Sequence, residues 1–465
     1  MHIKKYISFL AVCILLLSFS DYALHEKPPL EWKAGVAKVS ITPEQSMWMA
    51  GYASRNRPSE GKRVDLWAKA LAVEDSKGNR AVFVSTDLVG IRKRMSENVR
   101  NRIEKQYGLK RAQIILNSSH THTGPETESS RHIFALDSKE LTKIDNYAKK
   151  LEDKLVNLVG QALKALQPAK LFSGNGVTRF QVNRRNNKEA TLIQQTELNG
   201  PNDYAVPVIK VTDKNNKIIA VLFGYACHNT VLADYKWSGD YAGFAQIELE
   251  KFYPGATALF FQGAGADQNP LPRRSPELAK QYGKELAAVV ERVISEKMKP
   301  LESKLFASYS EIDLQFEKRP PTKEELVKII EDNSASRYPD YLKQNAKVFL
   351  NTLEKGGSLM TSYPYPIQVW KLGDQPIFAL GGELTVGYSI DLKRIFGYDI
   401  FVFGYCNDVM AYIPTATILK EGGYEGTRSP VFTTPWASDT ETTIIKQIVQ
   451  LAEEAGVPKS PASNL

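Results

Sequence analysis

Cysteine is scarce, with three in 465 residues. So few thiols argue against a disulfide-stapled scaffold. The absence of any Cys-x-x-Cys pair also argues against a thiolate zinc site. Cys13 lies near the N-terminus; Cys227 and Cys406 could pair in an exported protein, yet each sits inside a motif and buried free thiols are common, so the sequence leaves their pairing open. Beyond the first twenty residues there is no long apolar run, so a membrane bundle is excluded. Neither a Pro/Gly/Ser-rich linker, nor a low-complexity tract, nor an internal repeat divides the chain. With 43% hydrophobic and 24% charged residues, it has the composition of a globular protein able to bury a large core.

A basic stripe interleaved with aromatics is missing too, although the formal charge is +8. The densest basic clusters, "NRRNNK" and "EKRPPTK", read as solvated surface, and nucleic acid is not an expected partner. The N-terminus places Lys4 and Lys5 before an apolar run from Tyr6 to Phe19, with Ser18 and Ser20 at the small-residue positions before a cleavage after Ser20. Residues 1–20 therefore read as a secretory signal peptide, and 21–465 as one exported domain, periplasmic or secreted.

Strand-like and helix-like runs alternate. Residues 80–91 and 111–120 are apolar and β-rich, and "SENVRNRIEKQYG" between them is helical, with Ser96 as its cap. The pattern repeats at 217–228, 241–255 and 256–265, with further helices near 138–166, 275–298 and 435–455. This predicts an α/β protein of mixed sheets flanked by helices, with its chemistry at strand ends. Residues 317–357 are a candidate helical insert or lid.

Histidine is scarce as well, with six. His120 and His122, in "ILNSSHTHTGPE", stand two apart at the end of an apolar run. In an extended strand that spacing puts both imidazoles on one side. His228 ends "AVLFGYACH" in the same way. A zinc site needs three or four ligands, and carboxylates at other strand ends supply candidates: Glu383 after a Gly-Gly pair, Asp267 in a glycine turn, Asp87 and Asp240.

The motifs "NSSHTHTGP", "GYACHNTVL", "GDYAGFA", "GAGADQNP", "GGELTVGYS" and "NDVMAYIPT…GGYEG" together resemble the neutral/alkaline ceramidases, in order and spacing, from about residue 34 to 455. The resemblance implies a zinc-dependent hydrolase cleaving the N-acyl amide bond of ceramide or a related lipid by metal-activated water. Carried over motif by motif, the zinc ligands would be His120, His228, Glu383 and Tyr412. His122 would work beside the metal, with Tyr424 and Arg184 at further active-site positions and Asp267 in the same glycine turn. A small-molecule or lipid substrate and a peripheral membrane contact follow from the same resemblance.

Three departures stand out. Asn269 occupies the place of a serine that is central to amide cleavage in the family, and asparagine cannot be an acylated nucleophile. Glu126-Thr127-Glu128 replaces a Gly-Gly pair, and the family's C-terminal immunoglobulin-like domain has no expected counterpart. A polar acyl or carbohydrate substrate, or a binding protein on the same scaffold, is the alternative.

Overall fold

The computed structural model describes residues 31–129, 136–332, 340–427 and 434–461. The expected signal peptide, with Cys13, and both His25 and His132 lie outside the described residues. Strands Thr257–Gln262, Ile218–Tyr225, Ala205–Asp213, Gln167–Val177, Trp32–Ser40, Trp67–Glu74, Arg80–Thr86 and Ile114–Ser118 lie side by side in that order, and Lys299–Pro300 pairs with Gln167–Val177. The outermost pair at each end is parallel. Every pair between them is antiparallel.

Both faces of this sheet are buried, which explains why its strands read as near-continuous apolar runs. In Arg80–Thr86, Val82 and Val84 face a core built with helices Lys93–Tyr107 and Ser138–Lys164. Ala81 and Phe83 point the opposite way, as a period of two requires. Helices Asp240–Phe252 and Pro276–Ser295 cover the other half of the helical face.

The opposite face meets a second sheet, ordered Leu305–Gln315, Ser362–Leu372, Gln375–Leu380, Phe401–Phe403. Helices Val386–Phe396 and Thr440–Glu454 close its far side. The layers run helix, sheet, sheet, helix, so the expected class of mixed sheets flanked by helices is the one observed. Phe83 sits at the centre of the inter-sheet core, its ring 5.6 Å from Phe261 and 4.7 Å from Trp370. Phe83→Ala is expected to cost about 3–5 kcal/mol, read as a lowered denaturant midpoint at unchanged slope.

Boundaries differ from expectation in places. Ser96 does not cap its helix: the helix starts at Lys93 with Arg92 extended before it, and Ser96 is buried within it. Residues 317–357 contain helices Lys323–Glu331 and Asp340–Glu354, packed against each other. Cys227 and Cys406 are buried free thiols.

Candidate metal centre and its cleft

The two sheets converge at one end through isolated bridges between Asn117 and Cys406 and between Gly263 and Phe403. His120, His228 and Glu383 all reach this junction just beyond their strands. The two histidines do not meet through strand periodicity, because the strand stops at Ser118 and His120 has a φ of 62°. That left-handed residue, costly outside glycine, turns the chain so that the rings of His120 and His122 lie 4.8 Å apart. Their Nε2 atoms come within 3.1 Å.

Each flanking imidazole is oriented by a main-chain carbonyl. His120 Nδ1 lies 2.6 Å from Val89 O, and His228 Nδ1 lies 2.7 Å from Gly265 O. A carbonyl only accepts, so each Nδ1 carries the proton and each Nε2 presents a lone pair inward, the arrangement that metal-binding histidines use. Between them stands Glu383, whose Oε2 lies 3.3 Å from His120 Nε2 and 3.6 Å from His228 Nε2. Among the described residues, His228 Nε2 and Glu383 Oε2 are buried without a hydrogen-bond partner. Lone pairs converging on a carboxylate oxygen, all withheld from water, are costly unless a cation sits among them. The donor set fits a metal ion, and His120, His122 and His228 offer nitrogen atoms within 4.8 Å of one another.

Electrostatics favour the ligand forms. Burial, reinforced by Arg184, pushes His228 down to about 4. Burial and the neighbouring His120 and His228 hold His122 well below the usual imidazole range. Burial would raise the Glu383 carboxyl, but His120 and His228 outweigh it and hold it well below the ordinary value. His122 and His228, both held towards their neutral forms, beside a Glu383 held towards its ionised form suit a divalent cation.

Glycine makes the approach of Glu383 possible. Gly382 has φ 71°, and a Cβ there would lie 2.4 Å from Ile413 Cγ1. The next residue then pairs with Tyr412 in a short parallel ladder, which puts phenol and carboxylate side by side. Burial and Glu383 push the Tyr412 phenol well above its ordinary value, while Arg184 opposes them. Arg184 Nη2 donates to Tyr412 Oη at 3.2 Å, its Nη1 to Asn269 Oδ1 at 3.3 Å and its Nε to Glu425 Oε1 at 2.8 Å.

These side chains, with Tyr424, line an open cleft of about 600 Å³ that leads to His122. The Tyr424 ring stands 5.4 Å from that of Tyr412. His122 is held from behind by the edge of Tyr52 at 4.7 Å and by Arg55 Nη2, which donates to its carbonyl at 2.8 Å. Gly51 leaves room for this: a Cβ there would lie 2.5 Å from His122 Cγ.

Other sequence candidates have different surroundings. Both Asp267 oxygens are engaged by the scaffold, Oδ1 by the Val386 N–H at 2.8 Å and Oδ2 by Asn183 Nδ2 at 3.1 Å. The Asp87 carboxylate accepts from the Trp67 N–H, and that of Asp240 from the Leu232 N–H. Glu126 turns back to accept from the Thr127 and Glu128 N–H groups. The "NRRNNK" cluster corrects an expectation. Read as solvated surface, its Arg184 and Arg185 are 20% and 14% exposed in their side chains and wall the cleft. The carboxylate that draws them in, Glu425, lies 240 residues away.

Tyr405 was missed by sequence reasoning. Fully buried, its ring lies 4.6 Å from His120, and its own φ is 56°. Tyr52 was missed as well, although "AGYASR" places it beside the required Gly51.

The description "Neutral/alkaline non-lysosomal ceramidase, N-terminal" matches residues 32–269, half of the chain. The neutral ceramidase of Pseudomonas aeruginosa is 26% identical over 256 residues, 53% of this chain and 37% of that protein. Neutral ceramidase B of Dictyostelium discoideum is 27% identical over 307 residues, 58% of this chain and 41% of the relative. The matched segments thus span about two fifths of these curated relatives. The crystal structure of the Pseudomonas aeruginosa neutral ceramidase superposes with a TM-score of 0.71 at 19% identity, over 92% of this chain and 75% of that one. A structure described as ceramidase complexed with C2 gives 0.70 at 19% identity, over 93% and 76%. With its layered sheets matching that fold and its first half matching the family description, the chain belongs to the neutral/alkaline non-lysosomal ceramidase family.

Proposed function

We propose that this protein is an exported, zinc-dependent amidohydrolase that cleaves the N-acyl amide bond of ceramide or a related N-acyl lipid. One observation carries the reading: two inward imidazole lone pairs and an ionised, unpartnered carboxylate oxygen converge beside a third histidine that faces an open cleft. His120, His228, Glu383 and Tyr412 would hold the zinc. When bound, zinc polarises a carbonyl and brings the pKa of water towards neutrality.

The remaining steps belong to side chains. His122, neutral and at the cleft floor, accepts a proton from the attacking water and returns it to the departing amide nitrogen. Arg184 is fixed by Glu425, so its remaining N–H groups hold Tyr412 and Asn269 in place and put positive charge beside the developing oxyanion. Asn269 takes that hydrogen bond on its carbonyl oxygen, which leaves its NH2 to donate to substrate. Tyr424, half exposed at the rim, offers a ring face to the acyl chain. Export rests on the basic and apolar N-terminal run. A lipid substrate would bring a peripheral membrane contact; no helix among the described residues is long and apolar enough to cross a membrane.

The test is fatty-acid release from a labelled ceramide by zinc-loaded and chelator-treated protein. Zinc-dependent release of a fatty acid supports the reading, and zinc-loaded protein inert towards N-acyl amides removes it. Asn269 makes a sharper prediction. Without a hydroxyl nucleophile no acyl-enzyme forms, so rapid quenching should trap none. Asn269→Ala should slow turnover about tenfold to a hundredfold with zinc retained. A covalent acyl adduct in the wild type would overturn the direct-water mechanism.

A further inference from the structure

The cleft is basic where a neutral lipid would require nothing basic. Arg184, Arg185, Arg273 and Arg274 all line it, and Glu425 is the acidic side chain on its wall. Arg184 and Arg185 share Glu425, and Arg185 also reaches Glu421 at 2.9 Å. Arg273 directs Nε to Glu189 at 2.8 Å, which leaves the outer edge of its guanidinium for another acceptor.

Arg274 has no carboxylate within salt-bridge reach among the described residues. It is held instead by neutral groups. Its Nη1 donates to Tyr52 Oη at 3.2 Å, its guanidinium stands 5.5 Å from the Tyr52 ring centre, and its N–H donates to Val231 O at 2.7 Å. Its φ of 85° is strained for a non-glycine residue, and such strain concentrates where a side chain must be aimed.

A second observation points to the same place. Thr230 precedes Val231, lines the cleft and is only 2% exposed, and its hydroxyl has no hydrogen-bond partner among the described residues. The Thr230 hydroxyl, the Arg274 guanidinium, against which no described carboxylate lies, and the outer edge of Arg273 together make a cluster of donors that line the cleft with hydrogen-bonding capacity to spare. The Arg274 turn is pinned to the segment that follows His228. Tyr52 touches both Arg274 and His122, so this set lies on the His122 side of the cleft.

We infer that Arg273, Arg274 and Thr230 form an anion subsite, and that the substrate is an N-acyl compound bearing a carboxylate or phosphate close to the scissile amide. The inference rests on the amidohydrolase reading and narrows its substrate class. Guanidinium and hydroxyl donors recognise either anion, bidentately where geometry allows. Because Arg274 is exposed, its contribution is discounted for solvent, and the expected preference is about tenfold rather than thousands.

The experiment compares N-lauroylglycine and N-lauroyl phosphoethanolamine with neutral N-lauroylethanolamine on the zinc-loaded protein at low salt. At least one anionic compound should show a kcat/KM about tenfold above the neutral one, expressed mainly in KM, and the better of the two names the anion. The preference should shrink in molar salt. Arg274→Gln and Thr230→Val should each bring the ratio towards one. Equal or better turnover of the neutral compound by the wild type overturns the subsite. If none of the three is hydrolysed, the amidohydrolase reading fails instead. Calorimetric binding of the same compounds then decides the subsite: tighter anionic binding that Arg274→Gln abolishes sustains it, and equal binding overturns it.

Discussion

Purified His120→Ala and His228→Ala proteins should contain almost no zinc after dialysis, where the wild type retains about one ion per chain. Each substitution removes one of two imidazoles whose Nε2 lone pairs are fixed inward by the carbonyls of Val89 and Gly265. That leaves Glu383, a phenol and at most one oriented nitrogen, too few strong donors for a stable zinc site. The carbonyls are main chain, so the orientation of the surviving histidine is not lost with the side chain, and any loss of metal is attributable to the missing ligand. Catalysis should fall with the metal. A thermal scan supplies a readout independent of activity: excess zinc should raise the melting temperature of the wild type and leave both variants unmoved, because a ligand stabilises only a state that binds it. Full zinc content in both variants would remove the proposed centre.

His122→Ala should keep its zinc and lose roughly two to four orders of magnitude in turnover, the range for removing a proton-transfer group or oxyanion donor. The structure makes this a demanding test. Two nitrogens on one tetrahedral zinc stand roughly 3.4 Å apart, given Zn–N bonds of about 2.0–2.1 Å, and His122 Nε2 lies 3.1 Å from His120 Nε2. Its position suits a third imidazole ligand as well as a proton carrier. What favours the carrier is its place at the cleft and its Nδ1, which lacks the carbonyl partner that orients the other two. A metal-depleted His122→Ala would make His122 a ligand and transfer the proton role elsewhere. His122→Gln separates the cases further, since a glutamine amide restores hydrogen bonding without a titrating nitrogen.

Much of the fold was legible because its causes are local. The alternation of strand-like and helix-like runs identified the α/β class. Strand ends are where the converging side chains stand: each of His120, His228 and Glu383 follows an apolar strand by two or three residues. The helix cap at Ser96 was misread because a polar residue at the start of an apolar pattern looks the same whether it caps a helix or is buried inside its first turn.

The sequence by itself determined which residue types stand at which strand ends, that no Cys-x-x-Cys pair is present, and that asparagine stands at position 269. Each follows from identity and order along the chain. Only the tertiary structure decided how these groups meet. The left-handed turn at His120, not strand periodicity, brings His120 and His122 together, because a main-chain φ depends on what the chain packs against. The carbonyls that fix both tautomers come from Val89 and Gly265, one 31 and the other 37 residues from the histidine it orients. The cleft's basic character came from folding as well. The "NRRNNK" cluster read as solvated surface, although the resemblance put Arg184 at the site; Glu425, far along the chain, draws both Arg184 and Arg185 into the wall. Arg274 became informative because no carboxylate among the described residues was placed against it. Burial and the pairing of charges are properties of the packed chain, and a string of residues does not contain them.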